Sequence, residues 1–212
     1  HILDVNVGAP GVDEEQMLCR AVSEIQAVTN LPLQLDNSNP AAMEKALRRY
    51  NGKAMINSVN GKDESMRSVF PLVKKYGGLV VALTLDNNGI PETAEGRFKI
   101  AEKILGVANK YGIDKKDVIF DTLAMTVSAD VNSANVTLET LELIKNRLGC
   151  RTSLGVSNIS FGLPNRININ TSFLTMALYA GLDLPIMNPN LPAMMWAIKS
   201  FRVLAAIDEN SL

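Results

Sequence analysis

The 212 residues carry 21 Lys and Arg against 22 Asp and Glu, and this balance excludes the basic footprint of a nucleic-acid binder. With 47% hydrophobic residues the chain can bury a large core, yet no apolar run is long enough to span a membrane. The one histidine, at position 1, excludes an internal histidine base and a histidine-built metal site within this sequence, and Cys19 and Cys150 lack metal or redox spacing, so they read as buried, reduced thiols of a cytoplasmic protein.

Residues 2–7 read as a buried strand, broken at Gly8-Ala9-Pro10-Gly11. Over 13–28 apolar residues recur at helical spacing, with Asp13 as N-cap. Strand 33–35 ends at Asp36-Asn37, and Ser38 or Asn39 caps a helix that opens on Pro40 and runs to about 50. Strand 54–56 ends at Asn57, helix 64–76 stops at Gly77-Gly78, and strand 79–85 ends at Asp86. Helix 92–111, strand 118–120 ending at Asp121, a loop over 122–135 and helix 136–148 follow. The last elements are strand 152–156 ending at Ser157-Asn158, helix 169–180, strand 184–187 ending at Asn188, and helix 190–206.

Strand and helix alternate seven times, which predicts a parallel sheet joined by right-handed crossovers. The strands read as apolar throughout, as strands covered on both faces do. Eight such units close a (β/α)8 TIM barrel. The sequence opens directly in a strand, so the expectation is one barrel domain over 1–212 whose first βα unit lies upstream. No GxGxxG follows any strand, which argues against a doubly wound dinucleotide fold.

The strands repeatedly end in a carboxylate or carboxamide: Asp4 or Asn6, Asp36, Asn57, Asp86, Asp121, Asn158 and Asn188. In a barrel, strand carboxyl ends form the floor of the active site. The competing explanation is local, since Asp and Asn are also turn formers and helix caps. Asp86, before Asn87-Asn88-Gly89, and Asn188, before Pro189, fit that explanation. Asp36, Asn57, Asp121 and Asn158 directly follow core-like residues and fit it less well. With no Lys, Arg or His at a strand end, a phosphate-rich substrate is poorly served. Two acids and two amides suit a flat neutral heterocycle such as a pterin, whose N3–H and 2-amino group match a carboxylate and whose O4 and N5 suit amide donors.

The stretches LDVNVG at 3–8, LQLDNSN at 33–39, INSVNG at 56–61, IFDTL at 119–123, GVSNISFGLPNR at 155–166 and AGLDLPIMNP at 180–189 occur in an order that resembles the pterin-binding domain of cobalamin-dependent methyltransferases. That family includes the folate domain of cobalamin-dependent methionine synthase and methyltetrahydrofolate:corrinoid methyltransferases. The resemblance implies a (β/α)8 TIM barrel of the dihydropteroate synthase-like type. It also implies transfer of the N5-methyl group of methyltetrahydrofolate to a cob(I)alamin or corrinoid held by another domain or protein. Carried over position by position, Asp36, Asn57 and Asp121 would bind the pterin. Asn158 would hydrogen-bond near N5 as the catalytic residue, and Gly155 and Ser157 would shape the pocket wall. Asn6 and Asp86 are weaker binding candidates. Arg166 either touches the glutamate tail or a cobalamin-bearing partner, or anchors its own loop. Phe161 is shared with methionine synthase-like members and departs from some corrinoid-protein methyltransferases. No metal ligand is implied.

Two rival readings stay open. Dihydropteroate synthase shares the pterin pocket but carries late basic residues for pyrophosphate, where this chain has Ser157-Asn158-Ile159-Ser160. A non-catalytic pterin-binding module would keep the same residues. The Met194-Met195-Trp196 cluster allows a homodimer, although packing of the last helix on its own barrel is favoured.

Overall fold

A computed structural model of the protein describes residues 1–207. Its elements are β1 (Leu3–Asn6), α1 (Glu14–Val28), β2 (Leu33–Asp36), α2 (Pro40–Leu47), β3 (Met55–Asn60), α3 (Asp63–Tyr76), β4 (Leu79–Leu83), α4 (Ala94–Lys110), β5 (Val118–Asp121), α5 (Ser133–Leu143), β6 (Arg151–Gly155), α6 (Arg166–Tyr179), β7 (Leu184–Ile186) and α7 (Pro192–Leu204). The strands follow one another in sequence order through one sheet, and each described pairing is parallel. An order that never reverses is that of a (β/α) barrel, whereas a doubly wound sheet turns back at a switch point. No helix among the described residues is long and apolar enough to cross a membrane.

The chain divides into two compact units. The first comprises His1–Asn87 and Ile100–Ile119; the second comprises Asn88–Lys99 and the chain from Phe120 onward.

In the first unit the helix boundaries follow from local chemistry. The Asp13 carboxylate accepts from Gln16 N at 3.1 Å, satisfying a free donor in the first turn of α1. Asn39 does the same for α2 through Ala41 N at 2.9 Å, and Pro40 begins that helix. Gly77 closes α3 in the left-handed conformation, at φ 64°. Register aligns Val5 with Leu35 and Leu35 with Ile56, and all three are buried. Alternation then places Asp4, Asn6, Gln34, Asp36 and Asn57 on the opposite face. These strands are therefore not apolar throughout. Gln34 is buried because its Nε2 donates to Asp4 Oδ1 at 2.7 Å, so its amide finds a partner.

In the second unit Leu141 of α5, Leu154 of β6, Phe173, Leu174 and Ala177 of α6 and Met194 of α7 share one core. Met194 thus packs onto its own unit, while Trp196 two residues on is exposed. Strand β6 also departs from an apolar pattern, since Thr152 and Ser153 are buried. Thr152 is satisfied: its Oγ1 donates to Gly181 O at 2.9 Å and its N–H to Asp183 Oδ2 at 2.8 Å. Helix α5 gives way to one π turn over Ile144–Leu148, which ends at Gly149. Cys19, in the first unit, and Cys150, in the second, are both buried free thiols.

Candidate functional site

Strand β1 ends at Asn6, β2 ends at Asp36, and register sets them side by side with Asn57 of β3 next in line. Asn57 is not the end of its strand. Strand β3 continues to Asn60 through a register shift between Asn57 and Val59, a bulge that accounts for the early stop expected from sequence. The Asn6 Nδ2 donates to Asp36 Oδ2 at 2.8 Å, and Asn6 Oδ1 accepts from Gly8 N at 2.9 Å. Asn6 thus aims the Asp36 carboxylate through its amide while its carbonyl oxygen is held by Gly8 N. Behind them, burial raises the Asp4 carboxyl above its ordinary range, the Gln34 hydrogen bond lowers it, and the Asp36 charge raises it again.

Asp36 is half-buried, and the neighbouring Asn37 has a purely structural role. Its Nδ2 donates to Glu14 Oε2 at 2.9 Å and its Oδ1 accepts from Asn39 N at 2.7 Å. Asp86 is half-buried and lies past the last residue of β4, outside the row formed by Asn6, Asp36 and Asn57.

In the second unit Asp121 is the last residue of β5. Its Oδ1 accepts from Leu123 N at 2.7 Å, so the turn-former reading holds for one oxygen. Burial pushes its carboxyl up to about 6, while the Leu123 hydrogen bond and the Arg97 charge pull it back. The loop that follows is tied to the next functional turn. Val127 N donates to Ile159 O at 3.0 Å, and the Thr126 and Ser128 hydroxyls reach Phe161 O at 2.7 and 3.0 Å.

Asn158 does not follow a strand directly. Strand β6 stops at Gly155, and Val156–Ser160 forms a 3-10 helix that carries Asn158 on an exposed face. Val156 and Ile159 fix that turn by packing into the core of the unit. A Cβ added at Gly155 would lie 3.1 Å from Asn158 Nδ2, so glycine leaves room for the carboxamide. Ser157 contributes its backbone: its carbonyl accepts from Arg166 Nη2 at 2.7 Å. Arg166 also donates from Nε to Ser160 Oγ at 3.0 Å and lies 5.8 Å from the Phe161 ring centroid. That is the loop-anchoring role. Helix α6 starts at Arg166, ahead of the expected 169.

Asn188 caps its own turn, its Oδ1 accepting from Asn190 N at 2.9 Å. Asn57 and Asn158 do not behave so. Among the described residues, neither carboxamide makes a side-chain hydrogen bond, although Asn37, Asn39, Asn60 and Asn188 all satisfy nearby backbone.

Sequence reading missed Arg97. Its guanidinium is buried at the second unit's strand end, although no basic residue was expected there. Its Nη1 donates to the carbonyls of Thr122 and Leu123 at 2.7 and 2.8 Å, and its Nε donates to Pro91 O at 3.0 Å. Burial lowers its pKa, and the charges of Asp121 and Asp130 raise it. A signal was present: Arg97 falls on the buried stripe of α4 with Ala94, Ala101 and Ile104, where a charge needs a reason.

Comparison with known proteins agrees with this architecture. Residues 1–188 match the family model described as pterin binding enzyme. Over 201 residues the chain is 33% identical to methionine synthase of Mycobacterium tuberculosis, covering 89% of this chain and 17% of the relative. It is 28% identical over 199 residues to methylcorrinoid:tetrahydrofolate methyltransferase of Eubacterium limosum, covering 92% of this chain and 73% of the relative. The chain thus spans about a sixth of the methionine synthases it matches. Among solved structures, dihydropteroate synthase of Stenotrophomonas maltophilia has a TM-score of 0.76 at 17% identity, covering 98% of this chain and 83% of that one. The Coxiella burnetii dihydropteroate synthase in complex with pteroic acid has a TM-score of 0.72 at 18% identity, covering 98% and 81%. These structural likenesses establish the shared (β/α) barrel fold. With the family model matched over most of its length, the chain belongs to the pterin binding enzymes.

Proposed function

We propose that the chain binds the pterin of methyltetrahydrofolate and supports transfer of its N5-methyl group to a corrinoid carried by a partner domain or protein. The observation that carries this reading is the state of Asn57 and Asn158, whose carboxamides are used by no turn, cap or side chain among the described residues. Asn57 is half-buried and Asn158 is exposed, so both carboxamides are available to a ligand. Two relatives, one named methionine synthase and one named methylcorrinoid:tetrahydrofolate methyltransferase, support the reaction class.

In this reading Asp36, aimed by Asn6, and Asp121, held by Leu123, accept from the pterin N3–H and 2-amino group. Asn57 serves the pterin carbonyl, and Gly155 and Ser157 keep the wall beside Asn158 open. The partner's corrinoid supplies the nucleophile when it docks. The chain's own task concerns N5. A neutral tertiary amine is a poor methyl donor because it would leave as an anion. With a proton on N5, the electron pair of the breaking N5–CH3 bond remains on nitrogen and neutral tetrahydrofolate departs. Asn158 can offer oxygen or NH2 to N5 by rotating its carboxamide, and so can strengthen its hydrogen bond as the protonated amine develops.

The test is Asn158→Ala, assayed for methyl transfer to free cob(I)alamin and, separately, for folate affinity. Turnover is expected to fall about 100-fold with affinity changed a few-fold, the size seen when one transition-state hydrogen bond is lost. Unchanged turnover at saturating folate would sink the assignment. Condensation of para-aminobenzoate with the pterin pyrophosphate would favour a dihydropteroate synthase instead.

A further inference from the structure

We infer that Arg97 is a positioning residue for Asp121, setting the orientation of its carboxylate through the turn at Leu123. The inference rests on the reading of Asp121 as a pterin ligand. The geometry is a chain of three links within the second unit. Arg97 Nη1 holds the carbonyls of Thr122 and Leu123 at 2.7 and 2.8 Å. Leu123 is thereby kept at φ 61°, a left-handed conformation that a leucine adopts only when its surroundings demand it. In that conformation its N–H meets Asp121 Oδ1 at 2.7 Å. Thr137 Oγ1, whose single proton has Ser133 O at 2.8 Å as its nearer acceptor, also lies 3.2 Å from the Leu123 carbonyl and 3.4 Å from Arg97 Nη1.

A buried guanidinium is an expensive way to fill space, since a hydrophobic side chain of similar volume would pack without desolvating a charge. Arg97 is only 3% exposed. The planar guanidinium forms a fork, with Nε on Pro91 O at 3.0 Å and Nη1 on the two successive carbonyls, and a single lysine ammonium or a methionine cannot supply that fixed two-nitrogen geometry. The positive charge also acts on the carboxylate it positions, holding Asp121 below the value that burial alone would give. Within the unit, the charged groups acting on Arg97 are Asp121 and Asp130.

The experiment follows the Asp121 side-chain carboxyl by carbon NMR against pH in the ligand-free protein, for the wild type, Arg97→Gln and Arg97→Lys. Methyltetrahydrofolate affinity is measured on the same samples and on Asp121→Asn. In Arg97→Gln the Asp121 midpoint is expected to rise by about one pH unit, with folate binding weakened about tenfold. In Arg97→Lys the midpoint is expected to stay close to the wild-type value while affinity still falls, because one ammonium does not reproduce the fork. A wild-type midpoint in folded Arg97→Gln overturns the inference. If that variant does not fold, wild-type affinity in Arg97→Lys overturns it. If Asp121→Asn binds folate like the wild type, the pterin reading of Asp121 fails, and the ligand-free titration still decides whether Arg97 governs it.

Discussion

Asn6 on β1 and Asp36 on β2 are joined by a 2.8 Å hydrogen bond between the ends of neighbouring strands. The bond engages one carboxylate oxygen and fixes the plane of the group. Asn6→Ala removes the only described side-chain donor to Asp36. Its expected effect is about a tenfold loss of folate affinity, the worth of one hydrogen bond to a charged group. Asn6→Asp is expected to bind more weakly than Asn6→Ala, because it sets a like charge against Asp36. Isothermal titration on the two variants checks the order; equal affinities would show that Asp36 needs no such guide.

Asp121 makes stability depend on pH. Its folded value of about 6 exceeds the ordinary 3.8, so the folded state holds this proton more tightly than the unfolded chain. The resulting stability is fully present below the ordinary value and is lost as pH rises through the folded one. Asp121→Asn keeps an acceptor for Leu123 N and removes the half-buried charge. It is expected to be more stable than the wild type above about pH 6, by about 1–3 kcal/mol, with the gain fading toward about pH 4. Urea midpoints across that range measure it, and a difference independent of pH would contradict it.

Gly155 tests whether the aim of Asn158 matters. Its backbone lies at φ −72°, which alanine adopts without strain, yet the new Cβ would stand 3.1 Å from Asn158 Nδ2. Gly155→Ala is therefore expected to displace the carboxamide by a few tenths of an ångström with little change in melting temperature. Methyl transfer should fall about tenfold or more, as small misplacements of positioned groups do. Wild-type turnover in a folded variant would remove Asn158 orientation from the account.

Asp183 offers a contrasting case at the opposite end of β6. It accepts from Lys145 Nζ through both oxygens at 2.9 Å and from Thr152 N at 2.8 Å. Asp183→Ala leaves a partly buried ammonium and a buried N–H unpaired, at a cost of about 2–4 kcal/mol. Chemical denaturation reads that loss, and turnover of the folded variant at saturating folate is expected to match the wild type.

The element list and its order were legible from local patterning, because helix periodicity and caps act within a few residues. Asp13, Asn39, Pro40 and Gly77 all serve the boundary roles their chemistry suggests. The residue types at the strand ends were legible for the same reason. Their roles depended on contacts distant in sequence. Whether an Asn caps its own turn or stays open is decided by packing: Asn188 bonds Asn190 N, whereas Asn57 sits at a bulge and Asn158 on a 3-10 turn pinned by Val156 and Ile159. Asn6 became a partner of Asp36 only through strand register, which aligns residues 30 apart in sequence. Arg97 was opaque for a stronger reason. A buried guanidinium is tolerated only where carbonyls converge on it, and here those of Pro91, Thr122 and Leu123 come together only through folding of the chain.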